Sequence, residues 1–372
     1  MKVLFMTNIP SPYRVEFFNE LGKYCDLTVL FERDNDKYRR KEWFNFNIRS
    51  FKSIFLNCKR IGHNNVLCKD VLKYLNKKKY DLIVVGGYAT PTAMLAILHM
   101  KMKRIPFILN ADGGFIRASE SRLTKIVKKL FIRSATWWLS SGKHTTEYLI
   151  YYGAKRERIF TYPFTSVRSN EVLDRPLSQE EKENLRNELN ISEDKVILSV
   201  GRFIPSKGFD VLLKSAAYLP RNYGIYIVGG KPPQEYIELR KQLRLEENVH
   251  FVDFKLKPEL RKYYMASDLF VLPTRSDVWG LVINEAMANG LPVITTNRCI
   301  AGLELVTDYE NGFIVPVDDE LSLSQKINLI LENEALQRNM SIRNLEKIRG
   351  YTIEMMAEKH AEIFKIIKRE NN

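Results

Sequence analysis

The sequence predicts an α/β protein built from two doubly wound domains. Three observations carry this reading. At 372 residues the chain is long enough for two domains of ordinary size. Short runs rich in Val, Ile, Leu and Phe, the signature of strands buried on both faces, alternate with helical stretches through both halves. Two strand-to-helix junctions, at 200–210 and 268–292, place glycines beside charged side chains, and such junctions line the ligand crevice of an open α/β sheet. The expected division is 1–170 and 171–351, with a linker of few periodic apolar positions at 164–176.

Composition narrows the class. Hydrophobic content of 45% and charged content of 27% are those of a soluble globular protein. No apolar run reaches the roughly 18–20 residues that span a bilayer. The opening MKVLFMTNIP is too short an apolar run for a signal peptide, so the chain is expected in the cytosol. Cys25, Cys58, Cys68 and Cys299 lack metal-ligand spacing and read as reduced thiols. The histidines form no cluster, and no metal site is expected. The net charge of +14 is uneven: residues 1–165 hold 30 Lys+Arg against 13 Asp+Glu, a balance of +17, and the remainder carries −3. The first half therefore faces an acidic partner, whether nucleic acid, anionic lipid or acidic substrate.

In the first half, Lys2–Met6 reads as a strand. A loop through Pro12 follows, and a helix begins near Arg14 with Phe17, Phe18 and Leu21 inward. Leu27–Phe31 is the second strand. The D-x-D that follows, Asp34-Asn35-Asp36, reads as a solvated surface loop. Val66–Leu75 has helical spacing, and Asp81–Val85 is a strand ending in Gly86-Gly87-Tyr88. Thr90-Pro91 opens a helix with proline in an allowed first-turn position. Ile105–Leu109 is a strand that ends in Asn110-Ala-Asp112-Gly113-Gly114. Glycines and short polar side chains there suit close approach by a ligand, or an Asx-bonded turn. In Ser121–Arg133, Leu123, Ile126, Val127 and Leu130 recur at helical spacing among five cations, Arg122, Lys125, Lys128, Lys129 and Arg133. Such a helix lies on an anionic membrane surface, or packs on the sheet with a solvated cationic face. Thr136–Leu139 is the last clear strand of this half.

In the second half, Ser178 and Glu181 make a capping box that starts a helix, and Lys195–Val200 is a buried strand. It runs into Gly201-Arg202, a short turn, and Lys207-Gly208 before the next helix. Two cations beside free helix N–H groups suit a diphosphate, which as a leaving group needs its charge met. Strands follow at Tyr223–Val228 and from Val249. The strand Asp268–Leu272 leads through a loop with Asp277 and Gly280 into a helix bearing Glu285, closed at Gly290. Asp277 and Glu285 stand eight positions apart, and both can face the crevice beyond the strand end, where carboxylates accept hydrogen bonds from sugar or ribose hydroxyls.

The 277–285 stretch resembles the E-x7-E signature of retaining glycosyltransferases of family four, with Asp277 one methylene shorter than the usual Glu. The 201–208 stretch is similar to the family's G-R-x-x-x-x-K-G element. The resemblance implies the GT-B fold: two Rossmann-like domains facing across a cleft, with a C-terminal helix, here 352–372, crossing back to the first. It implies that Gly201, Arg202, Lys207, Asp277, Gly280, Leu281, Val282 and Glu285 bind the donor. Arg202, Lys207 and Asp277 would carry catalysis, and Glu285 the nucleotide ribose. On the sugar and acceptor side the candidates are Pro12, Asn110, Asp112 and Gly113. Departures from the family pattern are Phe254 where glycine is usual, and Gly302 alone where relatives carry a Gly-Gly pair.

The activity implied is retaining transfer of a hexose from a nucleotide sugar, UDP-linked, to a lipid-linked or oligosaccharide acceptor in bacterial capsule or O-antigen assembly. No cofactor or metal is implied beyond the nucleotide sugar, and no nucleic acid partner. The expected place is the inner face of the cell membrane, as a peripheral protein. Two rivals stand beside this reading. A UDP-sugar 2-epimerase on the same fold would isomerise the nucleotide sugar without an acceptor. A non-catalytic basic module would bind polyanions independently of Arg202.

Overall fold

Six residues at the start, Lys2–Thr7, form strand β1, and all but the first are buried, as the centre of a parallel sheet requires. The computed structural model describes residues 1–34, 47–61, 65–116 and 119–371. Packing divides the chain into two units, Met1–Ser166 with Thr352–Asn372, and Val167–Tyr351. Asp36 of the D-x-D lies outside the described residues.

In the first unit, β1 is followed by α1 (Pro12–Leu21), β2 (Asp26–Phe31), β3 (Lys52–Phe55), β4 (Lys59–Ile61) and β5 (Asn65–Leu67). Then come β6 (Leu82–Gly86), α2 (Pro91–Met102), β7 (Ile108–Ala111), α3 (Arg122–Ile132), β8 (Trp137–Ser140), α4 (Lys143–Tyr151) and β9 (Ile159–Thr161). Seven of these strands form one parallel sheet in the order β3-β2-β1-β6-β7-β8-β9. α1 starts on Pro12, whose missing N–H costs nothing in a first turn. It buries Phe17, Phe18 and Leu21 completely, and Phe18 meets Phe5 of β1 edge-on at 5.0 Å.

Local readings shift in four places. Val66–Leu75 is not one helix: Val66 pairs with Arg60 in the β4–β5 hairpin, and a 3-10 turn, Lys69–Lys73, follows. The strand expected from Ile105 starts at Ile108, past Pro106, which has no N–H for a ladder. The edge strands β3 and β9 are short, with few fully buried side chains, so no apolar run announced them. Cys58 and Cys68 are joined as a disulfide, which overturns the reading of four reduced thiols. The hairpin between them brings residues ten apart to a Cα separation of 4.1 Å, a closeness that spacing alone does not reveal. Cys25 and Cys299 are free.

The second unit runs α5 (Gln179–Leu189), β10 (Lys195–Val200), α6 (Phe209–Ala216), β11 (Tyr223–Val228), α7 (Gln234–Gln242), β12 (Val249–Val252), α8 (Lys257–Ala266) and β13 (Leu269–Leu272). It continues with α9 (Leu281–Ala288), β14 (Val293–Thr296), α10 (Ile300–Leu305), β15 (Gly312–Val315), α11 (Glu320–Leu331) and α12 (Glu334–Ile348). Six parallel strands order as β12-β11-β10-β13-β14-β15. The capping box forms as read: Glu181 N–H donates to Ser178 Oγ at 3.2 Å and Ser178 N–H to Glu181 Oε2 at 2.7 Å. Under α5, Asp268 is buried between Lys182 and Arg186 and also accepts the Val196 N–H at 2.9 Å.

The last helix, α13 (Ile353–Asn371), belongs to the first unit. Its His360 packs on Phe17 of α1 at 4.8 Å, and its Glu370 accepts the Trp137 indole N–H at 3.0 Å. Each large sheet has one point where strand order reverses, between β1 and β6 in the first unit and between β10 and β13 in the second. Open α/β sheets bind ligands at the carboxyl ends of such strands.

Candidate active site

β10 and β13 flank the reversal point of the second sheet, and the residues after each carry the charged motifs. After β10 the chain turns through Pro205–Lys207 and enters α6 at Gly208. Gly208 sits at φ +67°, and a Cβ there would lie 2.0 Å from the Pro273 carbonyl oxygen. Only glycine lets the turn after β10 lie this close to the loop after β13. That contact brings Lys207 and Asp277, 70 positions apart, into an ion pair, with each side chain 18% exposed.

Arg275 holds the two loops together. Its guanidinium donates from Nη1 to the Pro205 carbonyl at 2.7 Å and forks onto both oxygens of Asp210, at 2.9 and 2.6 Å. Its Nε donates to Asp318 Oδ1 at 2.6 Å, and its backbone N–H donates to the Ser206 carbonyl at 2.8 Å. Thr274 Oγ1 reaches the same carbonyl at 2.7 Å. Burial raises the Asp210 carboxyl, but the Arg275 guanidinium more than offsets it and holds the group below the ordinary range. Asp318 stands at φ +59°, a conformation a non-glycine residue adopts at a cost, and its bond to Arg275 helps to fix it.

The remaining candidates lie around this pair. Gly201 follows β10, its N–H bonded to the Val228 carbonyl at 3.0 Å, and Arg202 is exposed on the same turn as Lys207. Gly280 is the N-cap of α9, so Leu281 and Val282 present first-turn N–H groups. Glu285, one turn in, accepts the Tyr264 hydroxyl at 3.1 Å. Burial and the Glu285 carboxylate push the Tyr264 phenol well above its usual range. Glu285 and Tyr264 also line a cavity of about 380 Å³ with Lys257, Arg261 and Asn289. The structure thus joins Lys207 to Asp277 directly and gives Glu285 to a cavity whose lining includes neither of them.

In the first unit, Asp112 follows β7 and is enclosed by donors. Its Oδ2 pairs with Arg14, and its Oδ1 accepts from Asn110 Nδ2 and the Tyr162 hydroxyl, each at 2.9 Å. Gly113 continues that loop, half-buried, and Pro12 opens α1 two residues before Arg14. His360 packs against Tyr162 with the rings tilted and their centres 4.4 Å apart, and its Nδ1 is bonded to the Met356 carbonyl at 2.7 Å. Burial pushes its pKa down to about 4.

α3 turns its apolar stripe outward. Leu123, Ile126 and Leu130 are 72%, 63% and 42% exposed, while Phe131 and Ile132 are buried. Arg122, Lys129 and Arg133 are exposed beside the stripe. Lys125 is bonded to the Tyr151 hydroxyl, and Lys128 pairs with Glu120. Among the described residues no helix is long and apolar enough to cross a membrane.

Arg275, Asp210, Asp318, Tyr264 and Arg14 went unread in the sequence. No local pattern singles out Arg275, whose partners lie 43 to 70 positions away.

Comparison with known proteins gives a family match for part of the chain. Residues 181–347 match the family described as Glycosyl transferases group 1. An uncharacterized glycosyltransferase of Haemophilus influenzae is 34% identical over 178 residues, 46% of this chain and 50% of that one. An O-antigen biosynthesis glycosyltransferase of Escherichia coli is 28% identical over 186 residues, 47% of this chain and 52% of that one. The chain spans about half the length of these curated relatives. The crystal structure of Anabaena Alr3699/HepE in complex with UDP aligns over 98% of this chain and 100% of that one, with a TM-score of 0.78 at 20% identity. The chain therefore has the GT-B fold, and its residues 181–347 match the Glycosyl transferases group 1 family.

Proposed function

We propose that this protein is a retaining glycosyltransferase that moves a hexose from a UDP-sugar to a lipid-linked or oligosaccharide acceptor in cell-surface polysaccharide assembly. One observation carries the reading: a lysine and an acid from loops 70 positions apart meet at the reversal point of the second sheet. The donor diphosphate is met by Arg202, Lys207 and the first N–H groups of α9, which neutralise the leaving group without calling on a metal. Asp277 bonds hydroxyls of the donor sugar and Glu285 those of the ribose. Asn110, Asp112, Gly113 and Pro12, in the first unit, are the candidates for binding the sugar and acceptor. The group 1 match, the E. coli relative's O-antigen role and the UDP bound in the Anabaena structure support the class of donor and product.

The test is calorimetry with UDP. The wild-type chain binds UDP, and Lys207→Ala loses at least tenfold in affinity. A wild-type chain that ignores UDP, or a Lys207→Ala chain that binds it equally well, overturns the proposal. Incubation with UDP-glucose alone separates the epimerase rival, which would yield isomerised sugar.

The outward stripe of α3 supports a second part of the reading, attachment to an anionic membrane surface. Leu123, Ile126 and Leu130 enter the acyl boundary, and Arg122, Lys129 and Arg133 meet the headgroups.

A further inference from the structure

The topological rule that locates the Lys207–Asp277 pair selects a place in the first unit as well. β1 has β2 on one side and β6 on the other, and a cavity of about 140 Å³ opens at their carboxyl ends. Thr7 and Asn8 line it from the end of β1, Gly86 and Gly87 from the end of β6, and Thr90 from the start of α2. The sixth polar contributor is Glu32, the residue after β2. Its side chain is buried, at 3% exposure. Its backbone N–H continues the ladder to the Thr7 carbonyl at 3.1 Å, and its Oε1 accepts the Thr90 hydroxyl at 2.6 Å. The carboxyl is thereby fixed at the cavity rather than free to swing to solvent. Burial pushes it up to about 7, against the pull of Thr90 and Arg33. The transfer chemistry proposed above makes no use of it.

The lining decides what fits. Among the described residues its lining has no lysine, arginine or histidine, and the cation acting on Glu32 is its neighbour Arg33, so a phosphate or carboxylate there would compete with Glu32 for one charge. The volume is below the roughly 300–1,000 Å³ of pockets that enclose a drug-sized ligand, which leaves out a whole nucleoside. Met6, Val85, Ala89 and Ala93 add apolar wall among the polar groups. A wall of this mixed kind suits the hydroxyl and C–H faces of a sugar.

We propose that this cavity seats one hydroxyl-bearing edge of a neutral saccharide, with Glu32 bonding its hydroxyl beside Thr90. This assignment rests on the reading that the chain transfers sugar to a saccharide acceptor.

The probes are methyl α-D-glucopyranoside, methyl α-D-galactopyranoside and methyl α-D-mannopyranoside, titrated onto the full chain by saturation-transfer NMR. At least one binds in the millimolar range, and Glu32→Gln weakens it about tenfold. Ala89→Trp, at an exposed cavity-lining position where the fold tolerates bulk, abolishes it. Calorimetry with UDP gives the same affinity for both variants and the wild type. The inference is overturned if none of the three glycosides binds, or if binding survives Glu32→Gln. Should Glu32→Gln fail to fold, binding that survives Ala89→Trp overturns it equally. Failure of UDP to bind the wild type strikes the glycosyltransferase reading instead, so the two failures are told apart.

Discussion

Replacing Arg275 with alanine removes the fastening between the two charged loops of the second unit, and its effect can be worked from the bonds lost. The guanidinium makes a forked pair with Asp210, one bond to the Pro205 carbonyl and one to Asp318. Arg275 and Asp210 side chains are 30% and 27% exposed, and Asp318 is 54% exposed. A charge-assisted bond contributes about 1.5–3 kcal/mol when buried, and exposure reduces an ion pair to well under about 1 kcal/mol. We take about 1–2 kcal/mol for the Asp210 fork, about 1 kcal/mol for the Pro205 carbonyl, and little for Asp318. Of that total, about 2 kcal/mol is the ordering of the loop that carries Lys207, which a bound diphosphate would have to supply instead. UDP affinity should then fall about thirtyfold, since about 1.4 kcal/mol is tenfold. Calorimetry on wild type, Arg275→Ala and Arg275→Lys measures this, with the lysine variant intermediate because it cannot fork. Arg275→Ala binding UDP within twofold of wild type would refute the positioning role.

Other consequences follow from burial. His360 is neutral in the folded chain, with its pKa near 4 against 6.5 when exposed, so the unfolded chain binds the extra proton as pH falls below 6.5. Stability is unaffected above that pH and drops by about 3 kcal/mol toward pH 4; urea unfolding should show this slope in wild type and a flatter one in His360→Gln. Burial works to raise the Asp268 carboxyl, but Lys182 and Arg186 hold it low, so Asp268→Asn strands the buried Arg186 and costs about 3–5 kcal/mol. A loss under about 1 kcal/mol in the same experiment would contradict that account. On α3, changing Leu123, Ile126 and Leu130 together to glutamine should leave melting unchanged and cut binding to phosphatidylglycerol vesicles at least tenfold. Equal binding by the triple variant would end the membrane reading.

Fold and site differed in how far the sequence disclosed them. Buried parallel strands announce themselves because both faces are apolar, and β1, β2, β6, β10, β11 and β13 all read clearly. The edge strands β3 and β9 did not, since an edge needs only partial burial. At the site, Lys207 and Asp277 were legible because each sits in a motif whose residue types have a known chemical use. Arg275 was not, because its value lies in partners 43 to 70 positions away, which no local pattern encodes. The same limit explains Cys58–Cys68, whose pairing depends on a hairpin of two three-residue strands, too short to show a pattern. The outward turn of Leu123, Ile126 and Leu130 was undecidable from periodicity, because a 3.6-residue repeat defines a stripe and not the direction it faces.

The Lys207–Asp277 pair makes a last prediction that a plain structural salt bridge would not. In this structure Asp277 already neutralises Lys207 in a half-shielded setting. A diphosphate carries more negative charge than one carboxylate, so it must compete with Asp277 for the ammonium and also bear the carboxylate's repulsion. Removing Lys207 takes away the attraction. Removing the charge of Asp277 takes away the competitor and the repulsion together. The two substitutions should therefore move UDP affinity in opposite directions, with Lys207→Ala weaker and Asp277→Asn tighter. At an effective dielectric of about 20, two charges several ångströms apart interact by a few kcal/mol before solvent screening, so a gain of about three- to tenfold is a conservative estimate. For a UDP-sugar the same Asp277→Asn change should slow transfer, since the sugar hydroxyls lose their charged acceptor. Calorimetry with UDP and a turnover assay with UDP-sugar separate these effects. If Asp277→Asn and Lys207→Ala both weaken UDP, the pair serves to hold the loops together, and Asp277 does not stand between Lys207 and a phosphate.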